Sequence, residues 1–363
     1  MRKHKLAGVL FICHMMITGA GFGASEPKNP LRVFSQNLYV GTDLLRVLSV
    51  QDPLEIPEIT GELFKEIEGT KFQERAKKFS ELIAEHQPDV IGLQEVSMIL
   101  RQSPGDFLAG NPVAANDVVW DFLQILLDEM SGLGLSYQIA SVYQGADIEL
   151  PMLLSYSPTE TYLDDVRLQD RDVLLVKNGM NFENPRVMTF NAQQRIEMSG
   201  QSISFDRGAQ SINLIRDHQR VQIVNTHLEV NTAEPFLTVQ REQAKELIRF
   251  SDSAGDINKI IIGDLNSSPS GAANNPWNLL TQNGYSDSWA AVNSENSEDG
   301  FTCCQSPDLR NSVSELGFRI DHILFNGTGL QPVYSSVIGV HDLDRTPGGL
   351  WISDHAGVMT VFQ

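Results

Sequence analysis

The chain has 363 residues, of which 41% are apolar, and its 27 basic and 46 acidic residues give a formal charge of −19. This apolar content excludes disorder as the main state, and the acidic balance argues against tight, non-specific binding of nucleic acid. No apolar run reaches the roughly 18 residues of a membrane-spanning helix, so we predict no transmembrane segment in the mature protein.

The first 25 residues have the pattern of a secretory signal peptide. One Arg and two Lys within the first five residues precede an apolar stretch over 6–17, and small residues follow over 19–25. Removal of residues 1–25 would take away three basic residues and no acidic one, which lowers the charge from −19 to −22. We therefore expect a secreted or periplasmic protein, with a buried N-terminal helix as the alternative.

Six short apolar runs rich in β-branched residues predict buried strands, at 31–34, 90–93, 221–224, 260–262, 320–325 and 358–362. Apolar periodicity predicts helices over 72–83, 118–130 and 237–248. Strand-like pieces between 136 and 224 predict a run of antiparallel strands. Strands that alternate with helices favour an α/β or α+β layered fold, and the absence of a linker-like segment predicts one domain over 30–363.

Cys303 and Cys304 are the cysteines left after signal-peptide removal, and they are adjacent. A disulfide framework needs separated cysteines, so none is predicted. A vicinal disulfide and two free thiols both stay open.

Polar residues stand where the predicted strands end. They are Asn37, Glu95, His227, Asp264 with Asn266, and Asp321, and the pair Asp354–His355 leads into the last strand. Such side chains can meet at one edge of a sheet, where carboxylates repel one another unless a cation lies between them. An oxygen-rich donor set without cysteine suits Mg²⁺, Mn²⁺ or Ca²⁺.

Two histidines add acid–base chemistry to this set. The sequence lacks a G-x-S-x-G nucleophile motif, which favours hydrolysis by a metal-activated water. Taken singly, Glu95 could be a solvated strand end, His227 a structural histidine, and Asp264–Asn266 a turn. The prediction of a shared site depends on all of them occurring in one order.

In that order, six segments resemble the endonuclease/exonuclease/phosphatase superfamily, whose fold is that of deoxyribonuclease I. They are Ser-Gln-Asn-Leu at 35–38, Leu-Gln-Glu-Val at 93–96, Asn-Thr-His-Leu at 225–228, Gly-Asp-Leu-Asn at 263–266, Arg-Ile-Asp-His-Ile-Leu at 319–324 and Ser-Asp-His at 353–355. Two further segments, 37–41 and 300–305, resemble a secreted bacterial subgroup. The resemblance implies a four-layer α/β sandwich, two packed mixed β-sheets flanked by helices.

The resemblance also implies roles for individual residues. The implied metal-binding residues are Asn37, Glu95 and Asp354. The residues implied to contact the substrate phosphate are Arg207 and Asn225. His227 would be the general acid, and Asp264 would orient or deprotonate the attacking water. Asn266 would hold the phosphate. His355, oriented by Asp321, would contact a phosphate oxygen or assist the water.

The predicted function is a secreted, divalent-metal-dependent phosphodiesterase that uses Mg²⁺, or Mn²⁺ or Ca²⁺, and works as a monomer. Inositol polyphosphate phosphatases typically have Trp-Cys-Asp-Arg where this chain has Arg-Ile-Asp-His over 319–322. That branch is disfavoured, which leaves nucleic acid or a phospholipid headgroup, as in sphingomyelinases. The alternative is a non-catalytic secreted metal-binding protein on the same fold, which would have no reason to retain His227, Asp321 and His355.

Overall fold

The structure is a computed structural model that describes residues 30–363, apart from 51, 157–160, 199–200, 218 and 294–299. The predicted signal peptide, 1–25, lies outside the described residues, so its removal stays a prediction. In the described part of the chain, no helix is long and apolar enough to cross a membrane.

The strands β1 to β16 are Leu31–Asn37, Val90–Gln94, Met98–Gln102, Asp117–Asp121, Tyr137–Tyr156, Thr161–Lys177, Asn181–Thr189, Arg195–Met198, Gln201–Ser204, Gly208–Arg216, Gln219–His227, Asn258–Asp264, Ser286–Asp287, Asp321–Asn326, Pro332–Ile338 and Gly357–Phe362. The α-helices α1 to α7 are Leu45–Leu48, Ile56–Gly69, Phe72–His86, Phe122–Gly132, Phe236–Asp252, Pro276–Gln282 and Ser288–Val292.

Two mixed sheets form the centre of the molecule. The first has the order β15-β16-β1-β2-β6-β3-β4, with β5 paired to β6, and the second has the order β13-β14-β12-β11-β10-β7. Both sheets contain one parallel pair, β1 with β2 and β11 with β12, among antiparallel neighbours. In each parallel pair the carboxyl ends of the two strands lie side by side, which places the residues that follow them together.

The sheets pack face to face through a layer of β-branched and leucine side chains. Val33 and Val90 of the first sheet contact the same cluster as Ile223 and Ile262 of the second, and all four are fully buried. Because alternate residues of a strand point to opposite faces, the other face of each sheet is free to receive helices. Burial on both faces explains why these strands read as continuous apolar runs.

Helices cover the two outer faces. Helices α3 and α4 pack on the first sheet through a cluster that includes Phe79, Ile83 and Phe122, and α5 packs on the second through Ala244 and Leu247. The resulting order is helix, sheet, sheet, helix, so the predicted four-layer sandwich is confirmed.

The predicted helix over 118–130 is partly wrong. Residues 117–121 form β4, which pairs with β3, and α4 begins only at Phe122. The reason is Asp121, whose carboxylate accepts hydrogen bonds from the backbone N–H groups of Leu123 and Gln124 and so caps the helix. The helix α2 was not predicted. The predicted run of antiparallel strands between 136 and 224 is confirmed, because β5 pairs with β6, β7 with β10, and β10 with β11, each pair antiparallel.

Candidate active site

The polar strand ends predicted to share a site lie at one edge of the two packed sheets. Asn37 ends β1 and Glu95 follows β2, while His227, Asp264 and Asp321 belong to three neighbouring strands of the other sheet. Asp264 is the register partner of His227 in the parallel pair and of Asp321 in the antiparallel pair. This register, which pattern analysis cannot supply, places the three residues side by side.

Asn37 links the two sheets through its amide. Its Nδ2 donates hydrogen bonds to Glu95 Oε1 at 3.0 Å and to Asp264 Oδ2 at 3.2 Å. Its Oδ1 accepts from the backbone N–H of Tyr39 at 2.9 Å, because the chain turns directly after β1. In this arrangement the Asn37 oxygen holds the turn and its NH₂ group orients two carboxylates, while its predicted role as a metal ligand stays a prediction, since a carbonyl oxygen has a second lone pair.

Asp264 and Asn266 form a tight turn after β12. Asp264 Oδ1 accepts from the backbone N–H of Asn266 at 2.8 Å, and Asn266 Nδ2 donates to the carbonyl of Leu228 at 3.0 Å. Burial, together with the neighbouring charge of Asp321, raises the pKa of Asp264 to about 7. The turn thus presents a carboxylate that can hold a proton near neutral pH.

His355 and Asp321 form a buried hydrogen-bonded pair. His355 Nδ1 lies 2.8 Å from Asp321 Oδ2, and its Nε2 lies 3.9 Å from both Asp264 Oδ2 and Asp354 Oδ1. Burial opposes a charged ring, but Asp321 and Asp354 outweigh it and raise the pKa of His355 well above its usual value. The neighbouring carboxylates therefore favour the protonated form of His355, and Asp321 orients its ring.

His227 has a different partner from His355. Its Nδ1 lies 2.8 Å from Arg207 Nη1, and its Nε2 lies 3.5 Å from Asp264 Oδ2. Burial and the adjacent guanidinium lower the pKa of His227 well below its usual value. The surroundings therefore favour a neutral His227, next to the Arg207 guanidinium, and a protonated His355, next to the Asp321 carboxylate.

Asn225 does not reach the pocket, which corrects its predicted contact with phosphate. Its Oδ1 accepts from Gln94 Nε2 at 2.7 Å, and its Nδ2 donates to the carbonyls of Leu93 and Val173. The side chain is fully buried between the two sheets. It is on the same strand as His227, but it ties β11 to the opposite sheet instead of facing substrate.

Arg75 is a site residue that the sequence analysis missed. This buried side chain of α3 donates to the carbonyls of Leu38, Tyr39 and Ile352, which belong to the chain segments after β1 and before β16. Burial lowers its pKa to about 10. Arg75 therefore holds the segment that follows Asn37 next to the segment that precedes Asp354 and His355. The sequence does not reveal this role, because an arginine in an amphipathic helix is ordinarily a surface residue.

A pocket of about 580 Å³ opens above these groups, and Glu95, Asp264, Asp354 and both histidines line it. Asp170 also lines it, next to Arg207, whose Nη1 lies 3.7 Å from Asp170 Oδ2. Asp170 was not predicted because it lies within β6, away from any strand end. Cys303 and Cys304, which are joined by a disulfide, form part of the rim.

The carboxylates at the pocket floor have the chemistry of a divalent-cation site. Within the described part of the chain, ligand atoms of Asp264, Asp321 and His355 lie within 4.8 Å of one another. Asn37 bridges Glu95 and Asp264, and His355 lies between Asp264 and Asp354. Burial and the negative charge of Glu95 raise the pKa of Asp354 to about 7, as expected where carboxylates crowd without a counter-ion. An ion among Glu95, Asp264 and Asp354 would relieve this repulsion, and all-oxygen donors suit Mg²⁺, Mn²⁺ or Ca²⁺.

Comparison with known proteins agrees with this fold. The sequence profile of the Endonuclease/Exonuclease/phosphatase family matches residues 66–355. A TDP2 from D. rerio, humanized by 14 mutations, superposes with a TM-score of 0.55 at 15% identity over 92% of this chain and 99% of its own. No curated protein matches the sequence.

Two bacterial structures give similar values. A family protein from Leptotrichia buccalis has a TM-score of 0.56 at 16% identity, over 92% of this chain and 99% of its own. One from Bacteroides vulgatus has a TM-score of 0.53 at 14% identity, over 93% and 99%. At these identities the likeness establishes the fold.

Fold and site together define a phosphoric ester hydrolase of the divalent-metal-dependent kind. The chain belongs to the endonuclease/exonuclease/phosphatase family, as its sequence motifs indicated.

Proposed function

We propose that this protein is a secreted phosphodiesterase that hydrolyses a lipid phosphodiester with a zwitterionic headgroup, using a divalent cation such as Mg²⁺. The observation that carries the proposal is the lining of the pocket: among its described residues Arg207 is the only Lys or Arg. A polynucleotide groove needs a row of such cations to contact successive phosphates. A pocket with one arginine does not offer such a row, which argues against a polynucleotide.

The walls of the pocket are largely apolar, and they comprise Tyr39, Val40, Leu44, Leu45, Leu168, Phe205, Val230, Phe236, Pro307, Phe318 and Ile320. Phe318 is 62% exposed at the rim. Apolar walls stabilise hydrocarbon groups by removing them from water. They therefore support a substrate whose phosphate carries an apolar group.

Behind one wall lies a second, smaller cavity of about 60 Å³, which shares Leu44, Leu168 and Phe205 with the main pocket. Apart from Thr60, its lining consists of aliphatic and aromatic side chains. Its volume matches that of about two water molecules in the liquid, so it could take the end of a short hydrocarbon group. This supports an apolar substituent on the substrate.

The acidic residues of the pocket suit the other end of a zwitterion. Asp43, Asp170 and Glu229 line it in addition to the carboxylates at its floor. They would repel a polyanion, but they would attract an ammonium group attached to the phosphate ester. The pocket therefore has acidic residues that would contact the cationic headgroup and apolar walls that would contact the apolar portion of the substrate.

The chain's own groups can perform hydrolysis. Asp264 can accept a proton from the attacking water, and Asn266 can donate an amide hydrogen bond to phosphate. His355, held protonated by Asp321, can stabilise negative charge on a phosphoryl oxygen. The cation, held by Glu95 and Asp354, would polarise the phosphate and lower the pKa of water.

A substrate panel tests the proposal. Purified protein without residues 1–25 is incubated with bis(p-nitrophenyl) phosphate, sphingomyelin and phosphatidylcholine in detergent micelles, plasmid DNA and RNA, each with Mg²⁺ and with EDTA. We expect Mg²⁺-dependent turnover of the lipid and synthetic diesters, with DNA and RNA intact. The His355→Ala variant is the control for contaminating enzymes.

Cleavage of DNA in preference to lipid would overturn the lipid assignment while retaining the phosphodiesterase. Raised thermal stability with Mg²⁺ but no turnover of any ester would favour the non-catalytic metal-binding protein. Export is tested separately: full-length protein expressed in a bacterium with a signal peptidase should be recovered from the periplasm or medium with its N-terminus between residues 20 and 30.

A further inference from the structure

The contact between Arg207 and His227 determines where the histidine can carry its proton. Arg207 Nη1 and His227 Nδ1 are 2.8 Å apart, and both side chains are largely buried. A guanidinium has only N–H donors and stays charged in proteins. His227 Nδ1 must therefore be the acceptor, because an N–H on that nitrogen would point into another donor.

In a neutral ring with Nδ1 unprotonated, the proton is on Nε2. Asn266 Nδ2 lies 3.3 Å from Nε2, but a hydrogen bond there would need Nε2 to be an acceptor as well, which leaves the ring without a proton. The charged donor at 2.8 Å is the stronger of the two, so Nδ1 is the acceptor and Nε2 keeps the proton. The Nε2–H group then points toward Asp264 Oδ2, 3.5 Å away.

Arg207 is itself held in place. Its backbone N–H donates to Gln193 Oε1 and its carbonyl accepts from Phe190 and Gln193, while its guanidinium lies 3.7 Å from Asp170. This anchoring precedes β10, the strand that pairs with the His227 strand. The arginine therefore approaches the ring from a fixed direction.

We propose that Arg207 is a positioning residue that holds His227 as the neutral Nε2–H tautomer, so that His227 donates a hydrogen bond to the substrate and does not deliver a proton. The inference rests on the proposed phosphodiesterase function and replaces the general acid predicted from the sequence. The leaving oxygen then takes its proton from solvent water, while the Nε2–H group stabilises the negative charge that develops on it.

The tautomer is measured directly by ¹⁵N NMR of protein labelled at histidine, with His227 assigned by comparison with His227→Gln. At neutral pH we expect an unprotonated Nδ1 and a protonated Nε2, and in Arg207→Met we expect the two tautomers to mix. A ring protonated at both nitrogens, or at Nδ1, in the wild-type protein would overturn the proposal. This readout does not depend on turnover, so it decides the tautomer even where no substrate is cleaved.

Kinetics on a phosphodiester with an alkyl alcohol as leaving group distinguish a hydrogen-bond donor from an acid, because an alkoxide needs a proton to leave whereas p-nitrophenolate does not. His227→Ala should lower kcat by about 10²–10³-fold. His227→Gln retains an N–H donor and a carbonyl that can accept from Arg207, so it should keep at least about tenfold more activity than the alanine variant. Equal losses in the two variants would contradict the proposal, because a general acid is lost in both.

Arg207→Met separates positioning from phosphate binding. A positioning role predicts a fall in kcat with little change in KM, whereas a direct phosphate contact predicts a rise in KM. Arg207→Lys is the second variant, in case the methionine variant folds poorly. Arg220→Met, at an exposed arginine that pairs with Glu183, is the matched control and should match the wild type. A rise in KM alone would overturn the positioning role.

Discussion

Three residues that line the pocket have a left-handed backbone conformation. Tyr39, Glu95 and Asn266 have positive φ angles of 60°, 54° and 47°, a left-handed conformation that side chains other than glycine disfavour. Such residues cost about 1–3 kcal/mol each and persist where the surrounding structure over-determines them. Here the reason is visible, because each bend turns a strand end toward the pocket floor.

The raised pKa values predict a pH-dependent effect of metal. Asp264 and Asp354 have folded-state pKa values of about 7, above those of unfolded chains. In metal-free protein they lower stability progressively as the pH rises from about 4 to about 7, and a cation removes that loss. Thermal unfolding should show a larger Tm increase from saturating Mg²⁺ near pH 8 than near pH 5.

Asp354→Asn is the control for this effect, since it removes one of the two titrating groups and should reduce the difference between the two pH values. An equal Tm increase at both pH values would mean that the cation does not bind these carboxylates.

Arg75→Met should weaken both the fold and the site. Four backbone carbonyls, including that of Thr70, would lose their donor inside the protein, at about 1–3 kcal/mol for each buried group left unsatisfied and less than additively. We expect a loss of about 3 kcal/mol in the free energy of unfolding by urea, together with lower activity. Arg46→Met, at a surface arginine paired with Glu62 and Glu66, should cost under about 1 kcal/mol.

At the scale of elements, a buried ion pair supports the second sheet from behind the site. Arg319, just before β14, donates to Asp287 Oδ2 at 2.5 Å, and Trp277 of α6 donates to the same oxygen. The other oxygen of Asp287 caps α7. One carboxylate thus joins two helices and the strand that begins with Asp321.

Asp287→Ala should destabilise the protein by about 3–5 kcal/mol, because it leaves the Arg319 guanidinium buried without its partner. Burial alone would raise the pKa of Asp287, but His322 and Arg319 lower it well below its usual range. Its contribution is therefore present above about pH 4 and is lost as the pH falls. The difference between variant and wild type in urea unfolding should shrink below that pH, and Asp256→Ala, at an exposed turn, should show no such difference.

For the whole molecule, the acidic charge and the single arginine of the pocket predict weak dependence on salt. A protein that neutralises six to ten phosphates loses about 10³–10⁵ in affinity between 50 and 200 mM salt. With one phosphate contact, kcat/KM for a small diester should change less than about fourfold over that range. Steady-state kinetics at several NaCl concentrations check this, and a steep decline would indicate a row of phosphate contacts.

The sequence by itself determined the family, the layer order and the main site residues. Asn37, Glu95, His227, Asp264 and the Asp354–His355 pair were recognisable because each ends or precedes a buried apolar run, and a polar residue at that place is visible without coordinates. The same runs predicted an α/β or α+β layered fold, and the four-layer sandwich was implied by the resemblance to the family.

Only the tertiary structure decided what each polar atom does. The roles of Asn37, Asn225, Arg75 and Asp170 depend on contacts across more than 30 residues of chain, and residue type does not reveal them. The same holds for the proposal about the substrate: an acidic composition is compatible with a basic groove, and only folding brings the apolar side chains and the one arginine among the described lining residues into one pocket. Hydrogen bonds and charges act through distance in space, which the order of residues does not contain.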